Sequence, residues 1–171
     1  ELSKAYQRQS LDSSLLYCNK FYALAQKLGT KETLLDALHQ KTGIYDHLNN
    51  YDSTIFLAQQ TIQLAEELSD NEIKISSIIL LANAYDFSGN HDKAIEQYIE
   101  GLNFADSLDL NVKSALFLIH IGNSYRSHKN GKLAVKYLEE ADKKVTALVL
   151  ADSTDMELAN MQFGVKINLA L

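Results

Sequence analysis

One spacing constrains this chain more than any other: residue types return at intervals of forty. The stretch "LANAYDFSGNHDKAIEQY", residues 81–98, is followed forty residues on by "IGNSYRSHKNGKLAVKYL". Tyr45, Tyr85 and Tyr125 align, as do Asn50, Asn90 and Asn130 and the aliphatic set Ile55, Ile95 and Val135. Leu28, Leu68, Leu108 and Leu148 continue the register. Small residues recur where two helices would cross closely, at Thr42, Ala82 and Gly122 and again at Thr61, Gly101 and Ala141. Self-similarity at one fixed period marks a solenoid, whose units cannot bury an apolar face alone and stack to do so.

Within each period the apolar residues fall at helical spacing, for example Ile78, Leu81, Ala82 and Tyr85, then Ala94, Ile95, Tyr98 and Leu102. Each unit is therefore two helices. Short turns separate them, "HLNNYD", "FSGNHD" and "SHKNGK", whose Asn and Gly tolerate left-handed backbone and whose Asp52 and Asp92 can cap the next helix. Between units the breaks are Gly29-Thr30, Ser69-Asp70 and Asp109-Leu110-Asn111, and Ser69 with Glu72 reads as a capping box. The spacing predicts helices near 1–8, 11–28, 32–48, 52–68, 72–88, 92–108, 112–128, 132–148 and 154–170. A helix of about 17 residues spans roughly 25 Å. The expected organisation is a single solenoid over 1–171, with a partial unit at 1–29, full units at 30–69, 70–109 and 110–149, and a partial unit at 150–171. "LSKAYQ" resembles the tail of a first helix, with Tyr6 one residue out of register. The last helix carries the apolar stripe Leu158, Met161, Val165 and Leu169 with no partner in the chain. Both ends read as cut from a longer protein.

Composition removes several classes. With no proline and only 7 glycines there is little to break helices and no Pro-rich linker, so one all-helical unit is expected. The 16 basic residues stand against 22 acidic ones, a net charge of -6, and no Lys/Arg run is present to neutralise phosphates, so nucleic acid is not an expected partner. The longest apolar stretch, "IILLANAY", contains an Asn and falls short of the ~20 residues needed to cross a bilayer. A single cysteine, Cys18, excludes an internal disulfide but leaves the compartment open, cytoplasmic or periplasmic.

The residues now quoted carry a family resemblance. Ile78, Leu81-Ala82, Tyr85, Ala94 and Tyr98 are similar to the tetratricopeptide repeat (TPR) pattern: a bulky residue, a Leu-Gly-like pair, Tyr, then Ala and an aromatic in the second helix. Leu118, Ile121-Gly122, Tyr125, Ala134 and Leu138 follow it closely, and Leu38, Lys41-Thr42, Tyr45, Thr54 and Ala58 more loosely. The period is forty where the family usually has 34, and the proline that typically ends a repeat is missing. Longer repeats of this kind resemble those of bacterial regulatory proteins: sensor histidine kinases, helix-turn-helix regulators and peptide-responsive quorum-sensing receptors.

The resemblance implies an all-α, right-handed superhelical solenoid of antiparallel helix pairs, with the first helix of each repeat lining a concave binding surface. That places Asp36, His39, Gln40, Gly43, Asp46 and His47 on the surface from one unit. The next contributes Ser76, Ile79, Leu80, Asn83, Asp86 and Phe87, and the third Leu116, Ile119, His120, Asn123 and Arg126. An inward amide at Asn83 or Asn123 could pair with the N–H and C=O of an extended peptide, or Asn could simply be common at this point of the repeat. Relatives that clamp a terminal carboxylate add lysines where this chain has Ile79 and Ile119, so a carboxylate clamp is not expected. Ile79, Leu80, Leu116, Ile119 and Phe87 could accept a partner helix or peptide, or be covered by intramolecular packing.

Other chemistry finds no support. His39 and His47 are eight residues apart, as are His120 and His128, roughly 12 Å of helical rise, and Asp36 with His39 lacks a third ligand, so no metal site is expected. "SHKNGKL" resembles the end of a phosphate-binding loop but lacks the earlier Gly, the following Ser/Thr and the strand. Cys18, on an apolar face with Leu15 and Phe21, reads as a buried structural thiol. The tyrosines at 45, 85 and 125 are accounted for by packing, which leaves sugar binding a distant reading. No catalytic motif or cofactor signature is present, so any catalysis would lie outside this segment. The expected function is a module binding a peptide or protein segment in its groove, as the sensory or regulatory TPR region of a bacterial signalling protein in which occupancy alters an attached output domain. The alternative is a static scaffold or oligomerisation module, including a homodimer. The register also makes a packing prediction: Gly122 faces a crossing helix, and Gly122→Leu overpacks it.

Overall fold

The structure, a computed structural model, describes the backbone of residues 2–170 and the side chains of residues 13–170. Tyr6 therefore lies outside the described side chains. Eight helices follow one another: α1 (Leu2–Leu28), α2 (Lys31–His47), α3 (Tyr51–Glu67), α4 (Asn71–Phe87), α5 (His91–Ser107), α6 (Asn111–Ser127), α7 (Gly131–Ala151) and α8 (Met156–Ala170). The fold is all-α, and no strand occurs among the described residues. The chain divides into two compact units, Glu1–Gly89 with α1 to α4 and Asn90–Leu171 with α5 to α8. In each unit, consecutive helices joined by short turns pack against one another, antiparallel. In the first unit α2 also touches α4.

The turns explain the regularity. Gly29, Asn49, Ser69, Gly89, Asp109 and Lys129 all have positive φ, between 55° and 86°. They are spaced by twenty, and each follows a helix C-terminus. After α2, Asn49 N–H donates to the Asp46 carbonyl (2.8 Å) and Asn50 N–H to the Tyr45 carbonyl (3.0 Å). The same pair of bonds recurs at Ser69/Asp70, Asp109/Leu110 and Lys129/Asn130. This is the Schellman motif, which satisfies carbonyls that the helix end would leave unpaired. The next helix then starts at once: Asn50 Oδ1 accepts from Ser53 N–H (3.1 Å), Asp70 Oδ1 from Ile73 N–H (2.9 Å) and Asn130 Oδ1 from Leu133 N–H (3.4 Å).

Six expectations are corrected by this geometry. Ser69 is the left-handed residue of its turn, so Asp70 rather than Ser69 caps α4. Asp52 lies inside the first turn of α3, whose cap is Asn50, and Asp92 likewise lies inside α5, whose cap position is Asn90. The break expected between 8 and 11 is absent, and α1 runs continuously because no Gly or Asn there favours a left-handed residue. At 149 the register calls for positive φ, but Val149 is β-branched and cannot adopt it cheaply. The helix overruns 148 to Ala151, and α8 starts at Met156 rather than 154, capped by Asp155 Oδ1 on Glu157 and Leu158 N–H.

Packing follows the period. In the first unit Leu35 and Leu38 of α2, Leu57 and Ala65 of α3, and Ile75, Ile78 and Leu81 of α4 are buried. Cys18 stands forty residues before Ala58, at a core position, and is 4% exposed, as a structural thiol should be. Burial raises its pKa, against the opposing charge of Lys41. In the second unit Phe117, Leu118 and Ile121 of α6, Leu138 and Val145 of α7, and Leu158 and Val165 of α8 are buried. Each such Leu, Ile, Val or Phe contributes about 1.5–3 kcal/mol by leaving water.

The small residues sit where helices approach closely. Thr42 and Thr61 are fully buried, each hydroxyl donating to its own helix at Leu38 O and Leu57 O, and the two hydroxyls are 3.3 Å apart. At Gly122 a Cβ would fall 2.6 Å from Leu138 Cγ. Gly122 thus faces a crossing helix, as the register predicts.

Candidate functional site

In the first unit α2 and α4 lie side by side, so two first helices present adjoining faces. His39 joins them: its Nε2 lies 3.5 Å from Ser76 Oγ and its Nδ1 3.4 Å from Ser77 Oγ. Burial lowers the His39 pKa, with Asp36 and Asp70 pulling the other way. The ring works as a packed, hydrogen-bonded spacer between the helices. Gly43 is half-buried and a Cβ there would meet nothing within 4 Å, so it leaves the face open. Asp46 is half-buried, and burial pushes its carboxyl up, against the charge of His47, which is exposed. Ile79, Leu80, Asn83 and Asp86 of α4 are half-buried, whereas Asp36 and Gln40 are exposed. Phe87 is 68% exposed, and its ring stacks on Tyr51 of α3 at 5.9 Å and 26°. That contact places Phe87 at the turn edge of the unit. Next to it a hollow of about 480 Å³ is lined by Leu48, Asn49, Asn50, Tyr51, Asp52 and Ser88.

In the second unit the expected residues of α6 are half-buried and point to different neighbours. Ile119 packs against the cluster of Leu118, Ala141 and Val165. His120 stacks on Tyr98 of α5, centroids 5.2 Å apart and planes 10° apart. Arg126 Nη1 donates to Asn168 Oδ1 of α8 at 3.0 Å, so α6 and α8 are linked as first helices. Leu116 is half-buried. Asn123 Oδ1 is shielded from solvent and accepts no hydrogen bond, a state that costs about 1–3 kcal/mol unless a ligand supplies a donor.

Several groupings were not foreseen. Ser114 Oγ donates to Asp106 Oδ1 (2.6 Å), Lys144 Nζ reaches the same oxygen (2.6 Å), and Lys144 also contacts Ser114 Oγ. Burial pushes the Asp106 carboxyl up, but the Lys144 and Ser114 hydrogen bonds outweigh it and hold it low. Ser114 is completely buried, so this is a clasp joining α5, α6 and α7 rather than a nucleophile. By extending the register to α8, a first helix whose Leu158 stands forty residues after Leu118, Asn160 and Phe163 could have been found, but not Asn168, which stands forty residues after His128. The serines around His39 could not, because a period orders helices without fixing how each is rotated.

Among solved structures the chain is similar to RapI in its apo form, with a TM-score of 0.78 at 15% identity over 96% of this chain. It resembles a P. anserina protein with nearly identical TPR-like repeats, at a TM-score of 0.67 and 15% identity, covering 99% of this chain and 92% of that one. The fold is a TPR-type helical repeat. A signal transduction ATPase with a tetratricopeptide repeat sensor from Pyrococcus horikoshii also matches, at a TM-score of 0.61 and 19% identity over 95% of this chain and 27% of that one. The chain spans 45% of the length of RapI. No family profile matches the sequence, and no curated protein matches it significantly. In TPR terms α2, α4, α6 and α8 are first helices, and α3, α5 and α7 second helices. No helix among the described residues is long and apolar enough to cross a membrane.

Proposed function

We propose that this TPR-type chain is a module that binds a peptide or protein segment on its first-helix faces. The reading is carried by Asn123, whose buried Oδ1 lacks a donor on the face that α6 shares with Arg126 and the α8 residue Asn168. An extended peptide supplies a backbone N–H of the kind that oxygen needs. Asn83 holds the same register position on α4, and Ile79, Leu80 and Leu116 add half-buried apolar area beside the two amides. No catalysis is assigned to the segment.

The finer reading is the sensory or regulatory part of a bacterial signalling protein, of the sensor histidine kinase or helix-turn-helix regulator kind. It is supported by the likeness to a repeat that serves as a sensor in a signal transduction ATPase. Binding would then change how neighbouring first helices pack and so bias an attached output domain.

The test is a peptide library displayed against the intact chain, with titration of the selected peptides. Asn123→Ala should weaken their binding tenfold or more, and Glu139→Ala, at an exposed position of the second helix α7, should not. Selected peptides indifferent to both Asn83→Ala and Asn123→Ala would overturn the reading. The second reading, a static scaffold or homodimer, is favoured instead if sedimentation finds a dimer that survives dilution and no displayed peptide binds.

A further inference from the structure

The second unit holds two histidines that the peptide-binding reading does not use. His91 is the first residue of α5 and His128 ends α6, and both are half-buried. Their ring centroids are 3.1 Å apart with planes tilted by 42°, far closer than the ~4.5–7 Å of ordinary aromatic pairs. One ring nitrogen of each lies within 4.8 Å of the other. Two imidazole nitrogens on one tetrahedral zinc, each at about 2.0–2.1 Å from the metal, are about 3.3 Å apart with ring centroids about 5 Å apart, so the two rings share an ion once side-chain rotation swings them about 2 Å further apart.

His128 is also oriented as a ligand would be. Its Nδ1 lies 2.6 Å from the Ser124 carbonyl oxygen, which can only accept, so Nδ1 carries the proton and the lone pair sits on Nε2. A backbone carbonyl fixing the tautomer of a ligating histidine is the usual outer support of a metal site. The carbonyl end of α6 adds negative potential that favours a cation. Asp92, adjacent to His91, acts on the same end of α6: the Tyr125 phenol is raised by burial first, then by Tyr137 and Asp92.

We infer that His91 and His128 form a binding site for a divalent transition metal ion of the zinc, nickel or copper class, with water completing the coordination. Nitrogen donors select this class over magnesium and calcium, which take oxygen ligands. With water completing the coordination, the site is an open, reversibly loaded one rather than a closed structural one.

Zinc chloride titrated calorimetrically into the tag-free 171-residue chain at pH 7.5 should show one saturable site. His91→Gln and His128→Asn should each weaken it tenfold or more, while His47→Ala leaves it unchanged. Zinc should raise the Tm of the parent chain, reversibly on adding a chelator, and not that of His91→Gln. X-ray absorption of the zinc-loaded parent should show two imidazole ligands. If His128→Asn fails to fold by circular dichroism, His91→Gln decides, since its side chain sits at a helix start. No saturable binding, or equal affinity in the parent and His91→Gln, overturns the inference.

Discussion

The α2/α3 crossing in the first unit and the α6/α7 crossing in the second occupy the same place in the repeat and are closed by opposite means. Thr42 meets Thr61 across the first, two buried hydroxyls 3.3 Å apart, each anchored to its own helix. Gly122 meets Leu138 across the second, with no room for a Cβ and no polar group. The forty-residue period therefore determines where helices approach, while the local pair determines how near they come and whether the contact is polar or apolar.

Placing the first unit's residue in the second breaks that comparison most severely. Gly122→Thr should destabilise the chain by about 1–3 kcal/mol in urea unfolding, because Leu138 Cγ and Cδ2, 2.6 and 2.9 Å from the new Cβ, belong to a side chain 1% exposed. Unchanged stability would show that the α6/α7 crossing opens as easily as its counterpart. Thr42→Val should cost about 0.5–1.5 kcal/mol by removing its buried hydrogen bond to Leu38 O, and Thr61→Val added to it about as much again, since each hydroxyl gives its one proton to its own helix. A double variant clearly more stable than the two singles summed would mean that one hydroxyl donates across the crossing instead.

A smaller effect sharpens the contrast at the first-helix face, where the first unit sets His39 between two serines and the second stacks His120 on Tyr98. The folded-state pKa of His39 is lowered, so between the ordinary histidine value and that lower one the unfolded chain binds more protons than the folded chain. Stability falls as pH drops through that window. His39→Gln should show a shallower loss of urea midpoint from pH 7.5 to 5.5 than the parent, and equal slopes would place His39 outside the packed face. The smallest effect is at Lys129, whose φ of 60° is adopted at a turn where Gly89 holds 86°. Lys129→Gly should stabilise by about 0.5 kcal/mol, relief of left-handed strain exceeding the added flexibility of the unfolded chain.

Helix order, burial of Cys18 and the close approach at Gly122 were legible because they depend only on the register. The helix ends were legible wherever a turn residue tolerates positive φ, and failed at Val149, where none does, and near residue 9, where no turn forms. Caps failed at Ser69 because Ser suits either side of the turn, and the left-handed residue takes precedence over the cap. The site was less legible. His120 of the expected groove also stacks on Tyr98, and Ile119 also packs on Leu118, Ala141 and Val165, because a half-buried first helix has neighbours on several sides. His39 with Ser76 and His91 with His128 both pair residues 37 apart, a distance at which no local pattern in the sequence announces a contact.

The evenly spaced left-handed residues carry one more consequence. From α2 to α6 every helix takes seventeen residues and every connection three, so a block such as 51–70 could be lost with each remaining helix and turn intact. The loss would nevertheless swap the roles of all that follows, turning α4 into a second helix and α5 into a first. The chain thus has a parity: gains or losses of forty residues keep Asn83 and Asn123 on first helices, and odd multiples of twenty move them to second helices while leaving every local rule of folding satisfied.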